Sequence, residues 1–117
     1  MADRHESDSK SVRVGIIGCG MIARLHAQRL VADGRTTIVG LTDSTTAAAQ
    51  KFQDELARDA QVFGDVPSLL ESGELDAVII CTPTLFHFEQ VQACRRRGMH
   101  VLCEKPLTWN ISELNEI

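Results

Sequence analysis

The stretch GCGMIA, from Gly18 to Ala23, has residue types and spacing suited to binding a phosphate group. Its GxGxxA pattern follows an apolar run and opens a segment with helical spacing, which is the context of a dinucleotide-binding turn. In such a turn Gly18 permits the tight bend, Gly20 lets a pyrophosphate approach the backbone, and Ala23 lets the helix pack closely on the strand. The N–H groups of the helix N-terminus would then face the phosphates. The same spacing also fits a plain tight connection between a strand and a helix.

Asp43 ends the second apolar run, about 20 residues or more after the glycine turn, where an acidic residue can bind ribose. Its carboxylate can accept hydrogen bonds from both hydroxyls of an adenosine ribose, and its charge would repel a 2′-phosphate. Asp43 therefore favours NAD over NADP. Because it precedes the residues STT, it can also cap a helix, and the two roles are compatible.

The segment CTPTLFH, from Cys81 to His87, follows the fourth apolar run. Ligands of open α/β sheets bind at the carboxyl ends of the strands, so this loop is expected at the same crevice as the glycine turn. Thr82 and Pro83 would shape the loop beside the dinucleotide, and Thr84 is a candidate N-cap for the helix that carries His87. His87 either acts in the active site or serves only in capping and packing.

A charged pair, Glu104 and Lys105, ends the apolar part of VLCEKPL and is followed by Pro106. The pair is expected at the carboxyl end of a fifth strand, where both charges reach the crevice without burial in the sheet. Lysine can hold a substrate hydroxyl or polarise a carbonyl, and a cis Lys105–Pro106 bond would fix its direction. Alternatively, the two charges form a solvent-facing pair that contributes ~1 kcal/mol or less.

The segments that carry these residues alternate between strand-like and helix-like patterns. Strands are predicted near residues 12–18, 36–43, 60–65, 76–82 and 99–104, and helices near 21–34, 44–57, after Pro67, and near 84–98. In the first helix Ile22, Leu25 and Leu30 stand near helical spacing, and Ser44 or Thr45 can cap the second. The pattern predicts an α/β fold, a Rossmann-type open parallel sheet of about five strands with helices on both faces.

Length and composition limit the classes of function. The 117 residues suit one domain with a modest core, expected over 12–117 after a disordered tail at 1–11. The formal charge is −4, and the basic run Arg95 to Arg97 suits a helix C-terminus, so no nucleic-acid partner is expected. No apolar run approaches the ~20 residues of a membrane span, and the expected location is the cytoplasm.

The cysteines have no metal-ligand spacing and are expected to be reduced, packed thiols, with no metal site: Cys19, Cys81, Cys94 and Cys103.

Three segments together, VGIIGCGMIARLHAQRL, AVIICTPTLFH and GMHVLCEKPLT, closely resemble the N-terminal domain of the Gfo/Idh/MocA oxidoreductases. The resemblance covers about Val12 to Thr108. It implies reversible hydride transfer between C4 of a nicotinamide and a hydroxyl-bearing carbon, often on a sugar or cyclitol. It also implies these cofactor contacts: Gly18, Gly20, Met21, Ile22, Asp43, Thr82, Pro83, His87, Glu104 and Lys105. Lys105 would touch both the nicotinamide ribose and the substrate, and Lys105 and His87 are the candidate catalytic residues.

Members of that family are similar in having a second α/β domain that carries the substrate pocket, the catalytic histidine and usually the oligomer interface. Such a domain is not expected within these 117 residues, and the last unit, NISELNEI, reads as an incomplete one whose helix presents Ile111, Leu114 and Ile117 on an apolar face. The chain is therefore expected to bind dinucleotide without turnover. The alternative is a non-catalytic truncated module that self-associates through this helix and the sheet edge, and the family resemblance itself implies a homo-oligomer.

Overall fold

The structure, a computed structural model, describes residues 11–117. The tail expected over residues 1–11 lies outside the described residues, except for Ser11. None of the described helices is long and apolar enough to cross a membrane.

Five parallel strands form one sheet in the order β3-β2-β1-β4-β5, which confirms the predicted Rossmann-type fold. The strands are β1 (Val12–Ile17), β2 (Thr36–Thr42), β3 (Gln61–Phe63), β4 (Ala77–Ile80) and β5 (His100–Cys103). The helices are α1 (Met21–Asp33), α2 (Thr46–Leu56), α3 (Val66–Glu71), α4 (His87–Arg96) and α5 (Ile111–Glu116). Because β1 pairs with both β2 and β4, the strand order reverses at β1, and a crevice is expected at its carboxyl end.

Helices cover both faces of the sheet, and each face has its own core. The first core joins α1 and α2 to the sheet and includes Ile16 and Phe52. The second joins α3 and α4 to the opposite face and includes Ile17, Leu69 and Val91. Ile16 and Ile17 are neighbours in β1 and belong to different cores, because successive side chains of a strand point to opposite faces. This two-sided burial explains why the strands lack polar alternation.

The buried face of α1 includes Ala23, as expected, and one of the three apolar residues at helical spacing, since Leu30 packs partly buried on the first core. Ala23 and Ala27 are fully buried, whereas Ile22 and Leu25 are 45% and 44% exposed. A helix that packs closely on a parallel sheet needs small side chains at the closest contact, and Ile22 and Leu25 lie beside that contact. Helical spacing alone could not distinguish these two faces.

The helix starts also differ from the prediction in detail. Thr45 is the N-cap residue of α2, but its side chain makes no capping bond. Asp43 Oδ1 instead accepts a hydrogen bond of 2.8 Å from the Thr45 N–H. Thr84 does not cap α4, because it begins a short 3₁₀ turn (Thr84–Phe86) that precedes the helix. The short helix α3 starts at Val66, before Pro67, and is capped by Asp65.

Candidate functional site

A cleft of about 520 Å³ lies at the carboxyl ends of the central strands, within the range of small-molecule sites. Five of the predicted site residues line it: Gly18, Gly20, Asp43, Thr82 and Pro83. The other lining residues are Ile17, Thr42, Ser44, Gly64, Asp65, Val66, Cys81, Phe86 and Gln90. The cleft therefore joins the glycine turn, the end of β2 and the loop after β4, as the strand-end rule predicts.

Gly18 holds the glycine turn against the end of β4. Its φ is +92°, and a Cβ at this position would lie 2.8 Å from the carbonyl carbon of Cys81. A residue with a Cβ atom rarely adopts this φ, and 2.8 Å is too short for a contact between two carbon atoms. The Gly18 N–H also donates to the carbonyl oxygen of Thr42 at 2.8 Å. The turn is thus packed directly between β2 and β4.

Gly20, just before the start of α1, differs from Gly18 because the space that a side chain would occupy is empty. A Cβ built on Gly20 meets no atom within 4 Å, and its φ of −89° is accessible to any residue. The fold itself does not require glycine here. The open space lies at the N-terminus of α1, where helix N–H groups and the positive end of the helix dipole favour an anion.

Asp43 connects three parts of the site through one carboxylate. Oδ2 accepts a hydrogen bond of 2.7 Å from the Cys19 N–H of the glycine turn, and Oδ1 accepts one of 2.8 Å from Thr45 N–H. Each carboxylate oxygen has two acceptor positions, so one on each oxygen remains for a ligand. Asp43 therefore holds the turn before α2 without capping the helix, whose N-cap residue is Thr45, and still presents acceptors to the cleft.

The loop after β4 is held by hydrogen bonds to α4. Thr82 Oγ1 donates to Gln90 Oε1 at 2.6 Å. His87 is 1% exposed, and its Nε2 lies 2.7 Å from the carbonyl oxygen of Thr82. Its Nδ1 lies 2.9 Å from the carbonyl oxygen of Pro106. Both ring nitrogens therefore face backbone carbonyls, and His87 bridges the loop after β4 and the turn after β5 without lining the cleft.

Glu104 and Lys105 lie on different sides of β5. Glu104 Oε2 is 2.7 Å from His26 Nε2, and this hydrogen bond holds the pKa of the Glu104 carboxyl below its usual range. Lys105 lines a separate groove beside β5, together with Val91 and Arg95 of α4. The Lys105–Pro106 peptide bond is cis, as the sequence analysis considered. The structure thus does not bring Lys105 into the cleft that holds the glycine turn.

Met21 and Ile22 lie in the first turn of α1 and are 79% and 45% exposed. Met21 borders a shallow depression between α1 and α2 that also includes Arg24 and Lys51. Neither residue lines the main cleft, although they are the first and second residues after Gly20. Their contact with a cofactor stays a prediction.

Two residues that line the cleft, Asp65 and Gln90, and one that contacts Glu104, His26, were not predicted from the sequence. Asp65 lines the cleft after β3, and the same strand-end rule that selected Asp43 could have found it. Gln90 follows His87 by one helical turn, so its position beside the loop could be inferred once the start of α4 was known. His26 had a weaker signal, because it stands among the small residues of α1 that face the sheet.

The thiol of Cys81 also borders the cleft. Burial raises the pKa of Cys81 to about 11, and burial likewise raises the pKa of Cys19 to about 12. The nearby carboxylates of Glu104 and Asp43 act in the same direction. Both thiols are therefore protonated at neutral pH and are poor nucleophiles.

The chain matches a known protein family and several curated proteins. The family model described as "Oxidoreductase family, NAD-binding Rossmann fold" matches residues 12–117. The chain is 30% identical over 106 residues to myo-inositol 2-dehydrogenase of Thermotoga maritima, covering 91% of this chain and 31% of that protein. It is 35% identical over 98 residues to inositol 2-dehydrogenase of Agrobacterium fabrum, covering 83% of this chain and 29% of that protein.

The chain is also similar to solved structures of dehydrogenases. UDP-N-acetylglucosamine 3-dehydrogenase from Acidithiobacillus ferrooxidans superposes with a TM-score of 0.79 at 35% identity, over 91% of this chain and 33% of that one. Myo-inositol dehydrogenase from Lactobacillus casei, in complex with NAD(H) and myo-inositol, superposes with a TM-score of 0.86 at 28% identity, over 91% of this chain and 32% of that one. The chain thus spans about 30% of the length of the curated relatives that it matches.

Proposed function

The chain belongs to the Gfo/Idh/MocA family of oxidoreductases as its NAD-binding Rossmann domain, and on that premise we propose a role in polyol oxidation. The domain binds the dinucleotide for a hydride exchange between NAD(P) and a hydroxyl-bearing carbon of a sugar, cyclitol or related polyol. The observation that carries the proposal is the arrangement of Gly18, Gly20 and Asp43 around one cleft. Gly18 is locked in place, Gly20 leaves room for a phosphate, and Asp43 keeps acceptors free for a ribose.

NAD is the proposed cofactor in preference to NADP. The two remaining acceptor positions of Asp43 suit the two hydroxyls of an adenosine ribose. A 2′-phosphate would bring negative charge to this carboxylate, which is already committed to two backbone N–H groups and cannot turn away without losing them. The like charges would then repel each other across a short distance.

The roles at the substrate end are assigned from the side chains that remain available. A bound nicotinamide supplies the hydride donor or acceptor at C4. Lys105 would contact the nicotinamide ribose and the substrate hydroxyl, because its flexible four-carbon chain can extend from its place beside β5. His87 is buried with one ring nitrogen beside the Thr82 carbonyl and the other beside the Pro106 carbonyl, so we assign it a positioning role in place of the expected catalytic one.

Residues 12–117 taken alone are proposed to bind the cofactor without turnover. Oxidation of an alcohol requires a base for the hydroxyl proton, and such help is worth about 10² to 10⁴ in rate. Of the two candidate bases in the described part of the chain, His87 is occupied by carbonyl contacts and Lys105 lies outside the main cleft.

We propose a reducing compartment such as the cytoplasm, since the four cysteines are free thiols.

The Gly20→Ala variant tests the proposed function. Its methyl group meets no protein atom, so the melting temperature is expected to stay at the wild-type value. The same methyl group would obstruct the approach of a pyrophosphate, and NAD affinity is expected to fall by about tenfold or more in calorimetry. Titration of the wild-type chain with NADP is the matched control, with weaker binding expected. Wild-type protein that binds no NAD at millimolar concentration would overturn the proposal.

A second candidate function is a non-catalytic module that associates with a copy of itself. Exposed apolar side chains near β5 and α5 favour it: Leu102, Trp109 and Ile111 are 52%, 73% and 75% exposed. Exposed apolar surface of this kind is typical of interaction sites. This candidate differs from the first because it predicts association without any ligand.

A further inference from the structure

His26 occupies the sheet-facing side of α1 although it is polar. It stands three residues after Ala23 and one before Ala27, both fully buried, so it lies at the edge of the face that packs on the sheet. Its side chain is 23% exposed and meets the Glu104 side chain, which is 31% exposed. The atoms in contact are His26 Nε2 and Glu104 Oε2, at 2.7 Å. A partly shielded contact of this length is a well-formed hydrogen bond.

Glu104 is held at both its backbone and its side chain. The Glu104 N–H donates to the carbonyl oxygen of Ile80 in β4 at 3.0 Å, which continues the sheet by one residue. The backbone of Glu104 is thus fixed to β4, and its carboxylate is held by α1. The next residue, Lys105, lies in the groove with Val91 and Arg95 of α4.

We propose that His26 is a positioning residue of the cofactor site. By holding the Glu104 carboxylate, it ties α1, whose N-terminus follows the glycine turn, to the Glu104–Lys105–Pro106 turn after β5. The two ends of a dinucleotide site, one for phosphates and one for nicotinamide, are thereby kept at a constant separation. The effect on cofactor affinity rests on the proposed function, whereas the pairing of His26 with Glu104 does not.

The pairing has a spectroscopic consequence for Glu104. The hydrogen bond from His26 is the largest cause of the lowered pKa of this carboxyl. The other titratable groups near Glu104 are Lys105, which lowers its pKa, and the thiols Cys81 and Cys103. Both thiols have pKa values raised to about 11, so they stay neutral through the pH range in which Glu104 titrates. A change of the Glu104 titration on removal of His26 therefore reports the loss of the pairing.

The first measurement follows the ¹³C carboxyl signal of Glu104 from pH 7 to pH 3 in the 117-residue chain without cofactor. In His26→Ala the pKa of Glu104 is expected to rise toward its ordinary value, because the hydrogen-bond donor is lost. His26→Gln keeps a neutral donor and is expected to restore part of the lowering. His100→Ala is the control, since His100 lies at the opposite end of β5 from Glu104 and is exposed. An identical Glu104 titration in wild type and His26→Ala would overturn the proposal.

The second measurement is NAD affinity by calorimetry for the same proteins. A loss of about threefold to tenfold is expected for His26→Ala, with partial recovery in His26→Gln and no change in His100→Ala. Equal affinity in wild type and His26→Ala overturns the positioning role. If the wild-type chain binds no NAD, the proposed function and the affinity part of this inference fail together. The Glu104 titration then still decides whether His26 holds the carboxylate.

Discussion

At the scale of single residues, the site depends on groups that serve the fold and the ligand together. The Asp43 carboxylate accepts from the Cys19 N–H and the Thr45 N–H and keeps an acceptor position on each oxygen. It therefore fixes the glycine turn before any cofactor arrives. This arrangement pre-organises the ribose position, because the carboxylate does not have to be ordered on binding.

The Asp43→Asn variant tests this double use. An amide offers one oxygen and one NH₂ group, so one of the two backbone N–H groups would face a donor and lose its partner. We expect the free energy of unfolding to fall by about 1–3 kcal/mol, measured by urea denaturation. Asp59→Asn at an exposed position is the matched control and is expected to stay within about 0.5 kcal/mol of wild type. Equal stability of both variants would contradict the two-bond role of Asp43.

At the scale of elements, the contact between the glycine turn and the end of β4 creates the crevice. The turn follows β1 and lies so close to Cys81 that no side chain fits at Gly18. This contact places the helix N-terminus of α1 beside the Thr82–Pro83 loop. Residues of both segments therefore line the same cleft.

Gly18→Ala is expected to destabilise the fold through this contact. The methyl group adds strain at a φ of +92° and collides with the Cys81 backbone, for a combined loss of about 2–4 kcal/mol. Gly34→Ala is the matched control, because Gly34 has a φ of +80° with no atom within 4 Å of a Cβ. That variant loses only the conformational part, about 1–2 kcal/mol. Urea denaturation of both proteins separates the two effects, and equal losses would show that the contact is unimportant.

At the scale of the whole molecule, apolar side chains are exposed on the edge strand β5, on α5 and on the segment between them. Leu102 in β5 and Ile111 in α5 are more than half exposed, and Trp109 lies between them in the chain. An exposed edge strand with apolar side chains is a site where a second chain can pair. The second candidate function depends on these exposed side chains.

Sedimentation of the 117-residue chain tests the association. We expect the average mass of wild type to rise above 12.9 kDa with concentration, because association buries the exposed apolar surface. The double variant Leu102→Lys/Ile111→Lys is expected to remain monomeric. Val31→Lys changes an apolar residue that is 60% exposed on α1, away from β5, and serves as the control. Wild type that stays monomeric at all concentrations removes the second candidate function and leaves the first intact.

The sequence by itself determined the succession of strands and helices along the chain and much of the cleft. Apolar β-branched runs and glycine stops are local signals, and parallel strands place their carboxyl ends at one edge, so Gly18, Asp43 and Thr82 could be assigned to one crevice. The family motifs added the residues of the turn after β5. These features depend on a few neighbouring residues or on a general rule of topology.

Only the tertiary structure decided which side chains meet across the fold. The pairing of His26 with Glu104 joins residues 78 positions apart, and the contact of His87 with the Pro106 carbonyl joins residues 19 positions apart. The exposure of Ile22 and the burial of Ala27 depend on how closely α1 approaches the sheet. Such contacts are set by strand register and interhelical distance, which arise from packing of the whole chain and leave no local pattern in the sequence.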